Sequence, residues 1–271
     1  MGEIELDHRL AGRGEPLFLV HGIGSTWRVW KPVLEPLESR HEVLAVDVPG
    51  FGHSAPFPPG TRPTIEAMAD ALERALDAAG WDQPHVAGNS MGGWLALELG
   101  RRGRAASVVA ISPAGMWTDK EVAYSRGTLK FQHAAATRIA PYAETLTRTA
   151  LGRTLVLGAV TSRPWRADPA EAAEALRLFA GAPGWEATLE ELTHDRPRDL
   201  GAIACPVRIV WGSRDTLLFP RQADRFVREI PNAELVRLPG LGHVPMGDDA
   251  EAVAGSILDF TARHARATAA A

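Results

Sequence analysis

The stretch 85–99 places a serine between two apolar segments of different type. His85–Ala87 is typical of a short buried strand, and Trp94–Leu99 has the composition of a helix. Between them lies Gly88-Asn89-Ser90-Met91-Gly92, in which a glycine stands two residues before and two residues after the serine. Glycines permit a turn too tight for residues with side chains. The serine hydroxyl would then stand in the open at the start of a helix, where backbone N–H groups favour negative charge. The pattern predicts a nucleophile at Ser90.

A serine hydroxyl is a weak nucleophile at neutral pH, so it needs a base that a third group orients. Asp215 and His243 each follow directly after a strand-like apolar run. The carboxyl ends of parallel strands gather at one edge of a sheet, where ligands bind. The three side chains can therefore converge although they lie far apart in the chain. Asp119, soon after the apolar run Ser107–Ile111, is the alternative acid. Asp248 and Asp249 have the position of helix N-cap residues.

The rest of the chain supplies elements that could hold these residues. Apolar runs alternate with helical patterns, which predicts a mostly parallel sheet with helices on both faces. A periodic helix starts after Thr64 and is closed by Gly80. A second helix is expected over Trp27–Leu37, although Pro32 and Pro36 interrupt it. The predicted strands are Glu3–Leu10, Leu17–Val20, Glu42–Val46, His85–Ala87, Ser107–Ile111, Pro206–Val210 and Glu234–Leu238.

Residues 116–200 break this alternation, because they contain no strand-like run. We interpret them as a helical cap inserted into a core domain that comprises residues 1–115 and 201–271. Most of the aromatic residues of the cap should form its own core. A minority should line a substrate pocket, because ligand sites are largely apolar; Trp117, Phe131 and Trp165 are the candidates.

The serine turn matches the G-x-S-x-G nucleophile elbow and resembles the α/β-hydrolase family. Gly212-Ser213-Arg214-Asp215 and Gly240-Leu241-Gly242-His243 resemble the acid and histidine loops of that family, in the same chain order. The resemblance covers the chain outside the cap. It implies the α/β-hydrolase fold, with Ser90 as nucleophile, Asp215 as orienting acid and His243 as general base.

The resemblance also assigns the groups around these three residues. It implies an oxyanion hole made by the backbone N–H groups of Met91 and Ile23, the latter within His21-Gly22-Ile23. We expect His21 to hold its loop in shape without taking part in proton transfer. The loop that begins at Asp47, Asp-Val-Pro-Gly-Phe-Gly-His-Ser, is expected to support the site from beneath.

The expected activity is hydrolysis of small to medium apolar carboxylic esters through an acyl-enzyme. The elbow Gly-Asn-Ser-Met-Gly-Gly also resembles hydrolases that cleave carbon–carbon bonds of ring-fission products, but these often carry tryptophan after the histidine, where this chain has Val244. Family branches that open epoxides or displace halide use aspartate at the elbow, so Ser90 argues against both. A slow or non-catalytic ligand receptor on the same fold is a further alternative.

Composition excludes several other classes. A net charge of −4 and a pI near 6.1 give no basic footprint for nucleic acid. A single cysteine, Cys205, excludes an internal disulfide, and the acidic start lacks the pattern of a signal peptide. No apolar run is long enough to span a membrane. We therefore expect a cytoplasmic protein with a small-molecule substrate and no nucleic-acid or membrane partner; the sequence leaves the oligomeric state open.

Motifs for cofactors and metals fail to match. Gly22-Ile23-Gly24-Ser25-Thr26-Trp27 begins like a dinucleotide fingerprint but has Trp27 where the third glycine belongs. The chain has no G-x-x-x-x-G-K-S/T, no H-E-x-x-H and no C-x-x-C. We expect neither a cofactor nor a metal.

Overall fold

A seven-stranded sheet organises the molecule in the computed structural model, which describes residues 5–265. Its strand order is β1-β3-β2-β4-β5-β6-β7. β1 runs antiparallel to β3, and every other neighbouring pair is parallel. The strands are β1 His8–Gly12, β2 Glu15–Val20, β3 His41–Val46, β4 His85–Asn89, β5 Ser107–Ile111, β6 Val207–Gly212 and β7 Ala233–Leu238. The predicted fold class is confirmed.

The two faces of the sheet bury alternate residues of the same strands, because successive side chains of a strand point to opposite faces. In β2, Leu17 and Leu19 join one apolar cluster, and Phe18 and Val20 join the other. This explains why the central strands show continuous apolar runs instead of alternation.

Ten α-helices are present in residues 5–265. They are α1 Lys31–Glu38, α2 Ile65–Ala79, α3 Met91–Arg101, α4 Asp119–Ile139, α5 Ala143–Thr147, α6 Ala150–Leu157, α7 Pro169–Ala180, α8 Trp185–His194, α9 Ala223–Glu229 and α10 Ala250–Arg263. α2 begins and ends as predicted: the Thr64 side chain accepts from the Ala67 N–H, and Gly80 adopts the left-handed conformation at the other end.

The first helix and the first strand differ most from their predictions. The expected helix over Trp27–Leu37 is a 3₁₀ turn, Trp27–Trp30, followed by α1. Pro32 lies in the first turn of α1, where its missing N–H costs nothing. The first strand was expected over Glu3–Leu10, but β1 starts at His8; residues 3 and 4 lie outside the described part of the chain.

The segment 116–200, which the sequence analysis interprets as a cap, contains five of the helices, α4 to α8, and no strand. It lies over the loops at the carboxyl edge of the sheet. The Gly184 N–H donates to the Gly50 carbonyl at 2.9 Å, and a side chain on Gly24 would collide with the Phe179 ring. The loops that follow β2 and β3 are therefore in direct contact with the cap. Within residues 5–265 no helix has the length and apolarity needed to cross a membrane.

Candidate active site

Ser90 lies in a strained turn between β4 and α3. Its backbone has φ 60° and ψ −118°, in a region that residues with side chains rarely occupy. Three hydrogen bonds hold it there: the Ser90 N–H donates to the Ile111 carbonyl at 2.9 Å, and the Ser90 carbonyl accepts from the N–H groups of Trp94 and Ala114, both at 3.1 Å. A backbone conformation of this kind costs about 1–3 kcal/mol and persists only where the surrounding structure holds the residue in place.

Glycines allow the backbone to close around this turn. A Cβ on Gly88 would lie 2.0 Å from the Gly92 carbonyl oxygen, and a Cβ on Gly92 would lie 2.1 Å from the Val20 carbonyl oxygen. A Cβ on Gly22 would lie 2.9 Å from the Ser90 Cβ. The elbow therefore packs directly against the loop that follows β2.

Asp215 and His243 meet where β6 and β7 end. The His243 Nδ1 lies 2.8 Å from the Asp215 Oδ2, and both residues are buried. The other oxygen, Asp215 Oδ1, accepts from the N–H groups of Leu217 and Leu218 at 3.0 and 2.8 Å. These bonds fix the orientation of the carboxylate towards His243. With the Asp215 carboxylate as acceptor, Nδ1 donates the hydrogen bond, so the lone pair of a neutral His243 is at Nε2.

Asn89 links the histidine loop to the serine turn. Its side-chain amide donates to the His243 carbonyl at 3.0 Å and to the Ile111 carbonyl at 3.1 Å. The residue directly before Ser90 is thus bonded to the backbone of His243. The sequence analysis names Asn89 within the elbow but assigns it no role; an amide side chain next to the predicted nucleophile was the available signal.

The alternative acid, Asp119, lies elsewhere. Its side chain is fully exposed in the first turn of α4, where it is 3.7 Å from Arg196. Between the two acids, it is Asp215 that contacts His243.

His21 fixes the peptide that precedes the Ile23 N–H. Its Nε2 accepts from the Val48 N–H at 2.9 Å, so the proton of a neutral ring lies on Nδ1, which is 2.7 Å from the Gly22 carbonyl oxygen. The Ser25 N–H donates to the same oxygen at 3.1 Å. Because carbonyl and N–H point in opposite directions across a trans peptide, these bonds set the direction of the Ile23 N–H. Burial lowers the pKa of His21 to about 4, so the ring is neutral at pH 7.

The Met91 N–H has the complementary position on the elbow. Met91 is the first residue of α3, and the first N–H groups of a helix have no acceptor within the helix. Such groups are aimed along the helix axis at developing negative charge.

Asp47 organises the loop beneath His21. Its two carboxylate oxygens accept from the Trp27 N–H at 2.6 Å and the His53 N–H at 3.0 Å, while its carbonyl accepts from the Ser54 hydroxyl at 2.7 Å. Burial raises the pKa of Asp47 to about 6, although the two backbone hydrogen bonds oppose the shift. The contacts are those of a structural support.

Asp248 has a different position from the one predicted. Asp249 is the N-cap residue of α10, as expected, whereas the buried Asp248 turns away from that helix. Its carboxylate accepts from the Gly242 N–H at 2.8 Å and from the N–H groups of Ser162 and Arg163 at 2.7–2.9 Å. The prediction for Asp248 was wrong because the chain folds so that the cap segment, distant in sequence, brings donors to this carboxylate. Asp248 thereby joins the cap to the histidine loop.

The first helix of the cap contacts the acid loop in the same way. The buried Ser125 hydroxyl donates to the Leu217 carbonyl at 2.9 Å, and the Tyr124 hydroxyl donates to the Thr216 carbonyl at 3.1 Å. Glu121 lies one turn earlier and is paired with Arg221 and Arg225. Burial would raise the pKa of Glu121, but these arginines and the Thr118 N–H outweigh it and lower that pKa to about 2.

The three aromatic pocket candidates occupy different environments. Trp117 is buried in the core, but Phe131 and Trp165 are 75% and 50% exposed on the outside of the cap. The latter two therefore do not enclose a substrate in this arrangement, since their helices present them to solvent. The aromatic residues near the loop that carries Ile23 are instead Phe179, which meets Gly24, and its ring neighbours His133 and Trp185. The irregular spacing of the cap gave no signal for this.

In the part of the chain that the structure describes, no group of three or more His, Cys, Asp or Glu side chains is arranged to hold a metal ion. The serine turn, the Asp215–His243 pair and the residues that carry the two N–H groups, Ile23 and Met91, all follow strand ends at the carboxyl edge of the sheet.

Comparison with known proteins gives consistent results. A family model described as "Alpha/beta hydrolase family" matches residues 17–256. "Epoxide hydrolase EphH" of Mycobacterium tuberculosis is 34% identical over 186 residues, which cover 66% of this chain and 86% of that protein. "Putative carbamate hydrolase RutD" of a Caulobacter species is 28% identical over 262 residues, covering 91% of this chain and 90% of that one. A solved thermophilic esterase from Thermogutta terrifontis shares the fold, with a TM-score of 0.74, 24% identity and coverage of 96% and 94%.

Proposed function

The chain belongs to the alpha/beta hydrolase family, and we propose that it is a cofactor-independent serine hydrolase that cleaves small to medium apolar carboxylic esters through an acyl-enzyme. The observation that carries the proposal is the 2.8 Å contact between His243 Nδ1 and Asp215 Oδ2. The histidine loop accepts a hydrogen bond from the side chain of Asn89, the residue directly before Ser90. A nucleophile, a base and an orienting acid are the groups that acyl transfer requires.

The first half of the reaction forms the acyl-enzyme. Ser90 Oγ attacks the ester carbonyl carbon while His243 Nε2 takes the hydroxyl proton, and the carbonyl electron pair moves onto oxygen. Asp215 stabilises the imidazolium that results. When the tetrahedral intermediate collapses, the bond to the alcohol oxygen breaks and His243 returns the proton to that oxygen, so a neutral alcohol leaves.

The second half releases the acid. His243 removes a proton from water, which attacks the acyl carbon, and the bond to Ser90 Oγ breaks as that oxygen takes the proton back. In both halves the oxyanion is stabilised by the N–H groups of Met91 and Ile23. Removing one such donor typically raises the barrier by about 2.7–4 kcal/mol.

The apolar substrate class is supported by the residues beside the oxyanion loop. Phe179 packs on Gly24, next to Ile23, and its ring lies 5.3 Å from the rings of both His133 and Trp185. Burial of apolar groups of an acyl chain against such rings is favourable by about 25 cal/mol per Å².

Two other activities are suggested by likeness alone. The Mycobacterium relative bears the name of an epoxide hydrolase, but the resemblance places an aspartate at the elbow of epoxide-opening branches, where this chain has Ser90. Carbon–carbon hydrolysis of ring-fission products is the second candidate, because the elbow Gly-Asn-Ser-Met-Gly-Gly resembles those enzymes; Val244 in place of tryptophan keeps it second.

The test is a titration of the purified protein with an active-site phosphonate, followed by turnover of p-nitrophenyl esters of rising chain length. We expect one phosphonate per chain on Ser90 and ester hydrolysis that Ser90→Ala abolishes. Gly127→Ala serves as a control for preparation and handling. Gly127 is exposed in α4, and a Cβ added there would have no neighbour within 4 Å.

Three results would contradict the proposal. Ester turnover that persists in Ser90→Ala would show that Ser90 is not the nucleophile. Cleavage of a vinylogous diketone without any ester hydrolysis would favour the carbon–carbon activity. Stabilisation by an ester ligand with no turnover would favour a receptor.

A further inference from the structure

Phe179 of α7 covers the loop that carries Ile23. Its ring lies directly against Gly24, where an added Cβ would be 2.4 Å from Cδ2 and 2.6 Å from Cε2 of the ring. The side chain is half-buried and packs against both the main apolar cluster and the smaller cluster of the cap helices. Since consecutive Cα atoms are about 3.8 Å apart, the ring stands one residue beyond Ile23, whose N–H is the proposed oxyanion donor.

Two further rings fix the position of Phe179. The ring centres of His133 on α4 and Trp185 on α8 are each 5.3 Å from that of Phe179, and they stack on each other at 4.8 Å. Each ring therefore packs against the other two, and the three come from different helices. Gly184, directly before Trp185, is hydrogen-bonded to Gly50 in the loop after β3. Phe179 cannot turn aside without displacing these neighbours, so its ring is a fixed wall.

The strand order separates the two sides of the serine turn. β4, which ends directly before Ser90, lies between β2 and β5 in the sheet. The loop after β2 approaches from one side, where a Cβ on Gly22 would lie 2.9 Å from the Ser90 Cβ. The histidine loop approaches from the other side, because the Asn89 amide donates both to the last carbonyl of β5 and to the His243 carbonyl. Phe179 therefore covers the side of the serine turn opposite to His243.

This arrangement distinguishes the two halves of an ester. In the proposed reaction His243 returns a proton to the alcohol oxygen, so the alcohol must lie on the side of the histidine loop. The acyl chain then extends from the reacting carbon towards the loop after β2, where the Phe179 ring stands. A short acyl group fits before the ring, and a longer straight chain meets it.

We infer that Phe179 sets the upper length of the acyl group that the site accepts. A chain that reaches the ring must displace three mutually packed rings, which a close-packed interior resists. The expected substrates are therefore esters of short straight-chain acids. The inference rests on the proposed ester hydrolysis and adds the residue that limits its acyl group.

The experiment compares p-nitrophenyl butyrate with p-nitrophenyl octanoate, which share the alcohol and differ only in acyl length. We expect the unmodified protein to prefer the butyrate. Phe179→Ala should raise the ratio of kcat/KM for octanoate to that for butyrate by at least about tenfold, because removal of the ring opens space in which the additional methylene groups can be buried. Phe179→Leu, which keeps an apolar side chain of intermediate size, should raise the ratio less.

Phe131→Ala is the matched control, since it makes the same change at a cap residue that is 75% exposed. Its ratio should equal that of the unmodified protein. Thermal unfolding followed by circular dichroism shows whether each variant is folded. If the alanine variant at position 179 does not fold, Phe179→Leu decides the test.

A binding measurement separates this inference from the proposed reaction. In the Ser90→Ala background, calorimetric titration with sodium octanoate and sodium butyrate measures the acyl side without turnover. Adding Phe179→Ala should tighten octanoate binding at least about tenfold and change butyrate binding less. If the unmodified protein hydrolyses no ester but binding responds in this way, the proposed reaction fails while Phe179 still limits the length of the bound chain.

Three outcomes would overturn the inference. One is an octanoate-to-butyrate ratio that folded Phe179→Ala and Phe179→Leu leave unchanged in hydrolysis and in binding. Another is an equal rise of the ratio in Phe131→Ala. A third is a gain that appears only with alkyl acetates of increasing alcohol length, which would place Phe179 on the alcohol side of the site.

Discussion

The Asp248 carboxylate accepts a hydrogen bond at 2.8 Å from the N–H of Gly242, the residue directly before His243. The same carboxylate accepts from the N–H groups of Ser162 and Arg163 in the cap. The Val244 N–H also donates to the Val160 carbonyl at 2.8 Å. The backbone on both sides of His243 is therefore fixed against the cap, so the position of the imidazole depends on the cap being seated.

Asp248→Asn should reduce both stability and turnover. The amide nitrogen would face backbone N–H donors, and loss of hydrogen bonds to a buried charged group costs about 1.5–3 kcal/mol each. Displacement of the histidine loop should lower kcat by about 10- to 100-fold. Urea unfolding and p-nitrophenyl ester kinetics measure the two effects.

Asp249→Asn is the matched control, since it makes the same chemical change one residue later. Asp249 is an N-cap residue, and asparagine serves that position about as well as aspartate. Its kinetics and stability should stay close to those of the unmodified protein. Equal behaviour of the two variants would show that Asp248 has no special connection to the histidine loop.

Asp215→Asn should lower turnover by about 10⁴-fold, because asparagine no longer stabilises the imidazolium and favours the wrong tautomer of His243. Leu217 and Leu218 still donate to the remaining side-chain oxygen, so the fold should persist, as circular dichroism can verify. Asp119→Asn, the same change at the exposed alternative acid, should leave turnover unchanged. The reverse pattern would move the role of orienting acid to Asp119.

Gly22→Ala should abolish most activity. The substitution should not strain the backbone of residue 22 itself, because Gly22 does not adopt the left-handed conformation. Its new methyl group would lie 2.9 Å from the Ser90 Cβ, which forces the serine or the oxyanion loop to move. We expect a loss of about 100-fold or more in kcat. The methyl group of Gly127→Ala meets no neighbour and should stabilise α4 by roughly 0.5–1 kcal/mol without affecting the kinetics. Full activity in Gly22→Ala would argue that the loop after β2 does not approach the reacting atoms.

His21 should contribute to the pH dependence of stability. Burial lowers its pKa to about 4, so between about pH 6.5 and pH 4 the folded protein binds fewer protons at His21 than the unfolded chain does. The stability linked to the neutral ring is complete above pH 6.5 and is lost as the pH falls towards 4. Relative to His21→Gln, the unmodified protein should lose about 3 kcal/mol of unfolding free energy across this range.

Urea unfolding at a series of pH values checks this difference. The raised pKa of Asp47 acts in the opposite sense, but it is present in both proteins, so the comparison isolates His21. A constant difference between His21→Gln and the unmodified protein from pH 7 to pH 4 would contradict the assignment of a neutral buried ring.

The sequence alone determined the fold class and the elements that converge at the site. Apolar runs, helical periodicity and glycine positions are local signals, and they located β4, the serine turn and the strand ends that carry Asp215 and His243. Strand ends of a parallel sheet meet at one edge whatever the details of packing, so their convergence could be predicted.

Only the tertiary structure decided which groups touch. The contact of Asp215 with His243, the amide of Asn89 on the histidine loop, and Asp248 on the cap all join segments far apart in the chain. The exposure of Phe131 and Trp165 depends on how the cap helices are oriented against one another, which their own sequence does not specify. Hydrogen-bond partners and burial are properties of packed surfaces, and they exist only once the helices and loops have taken their places on the sheet.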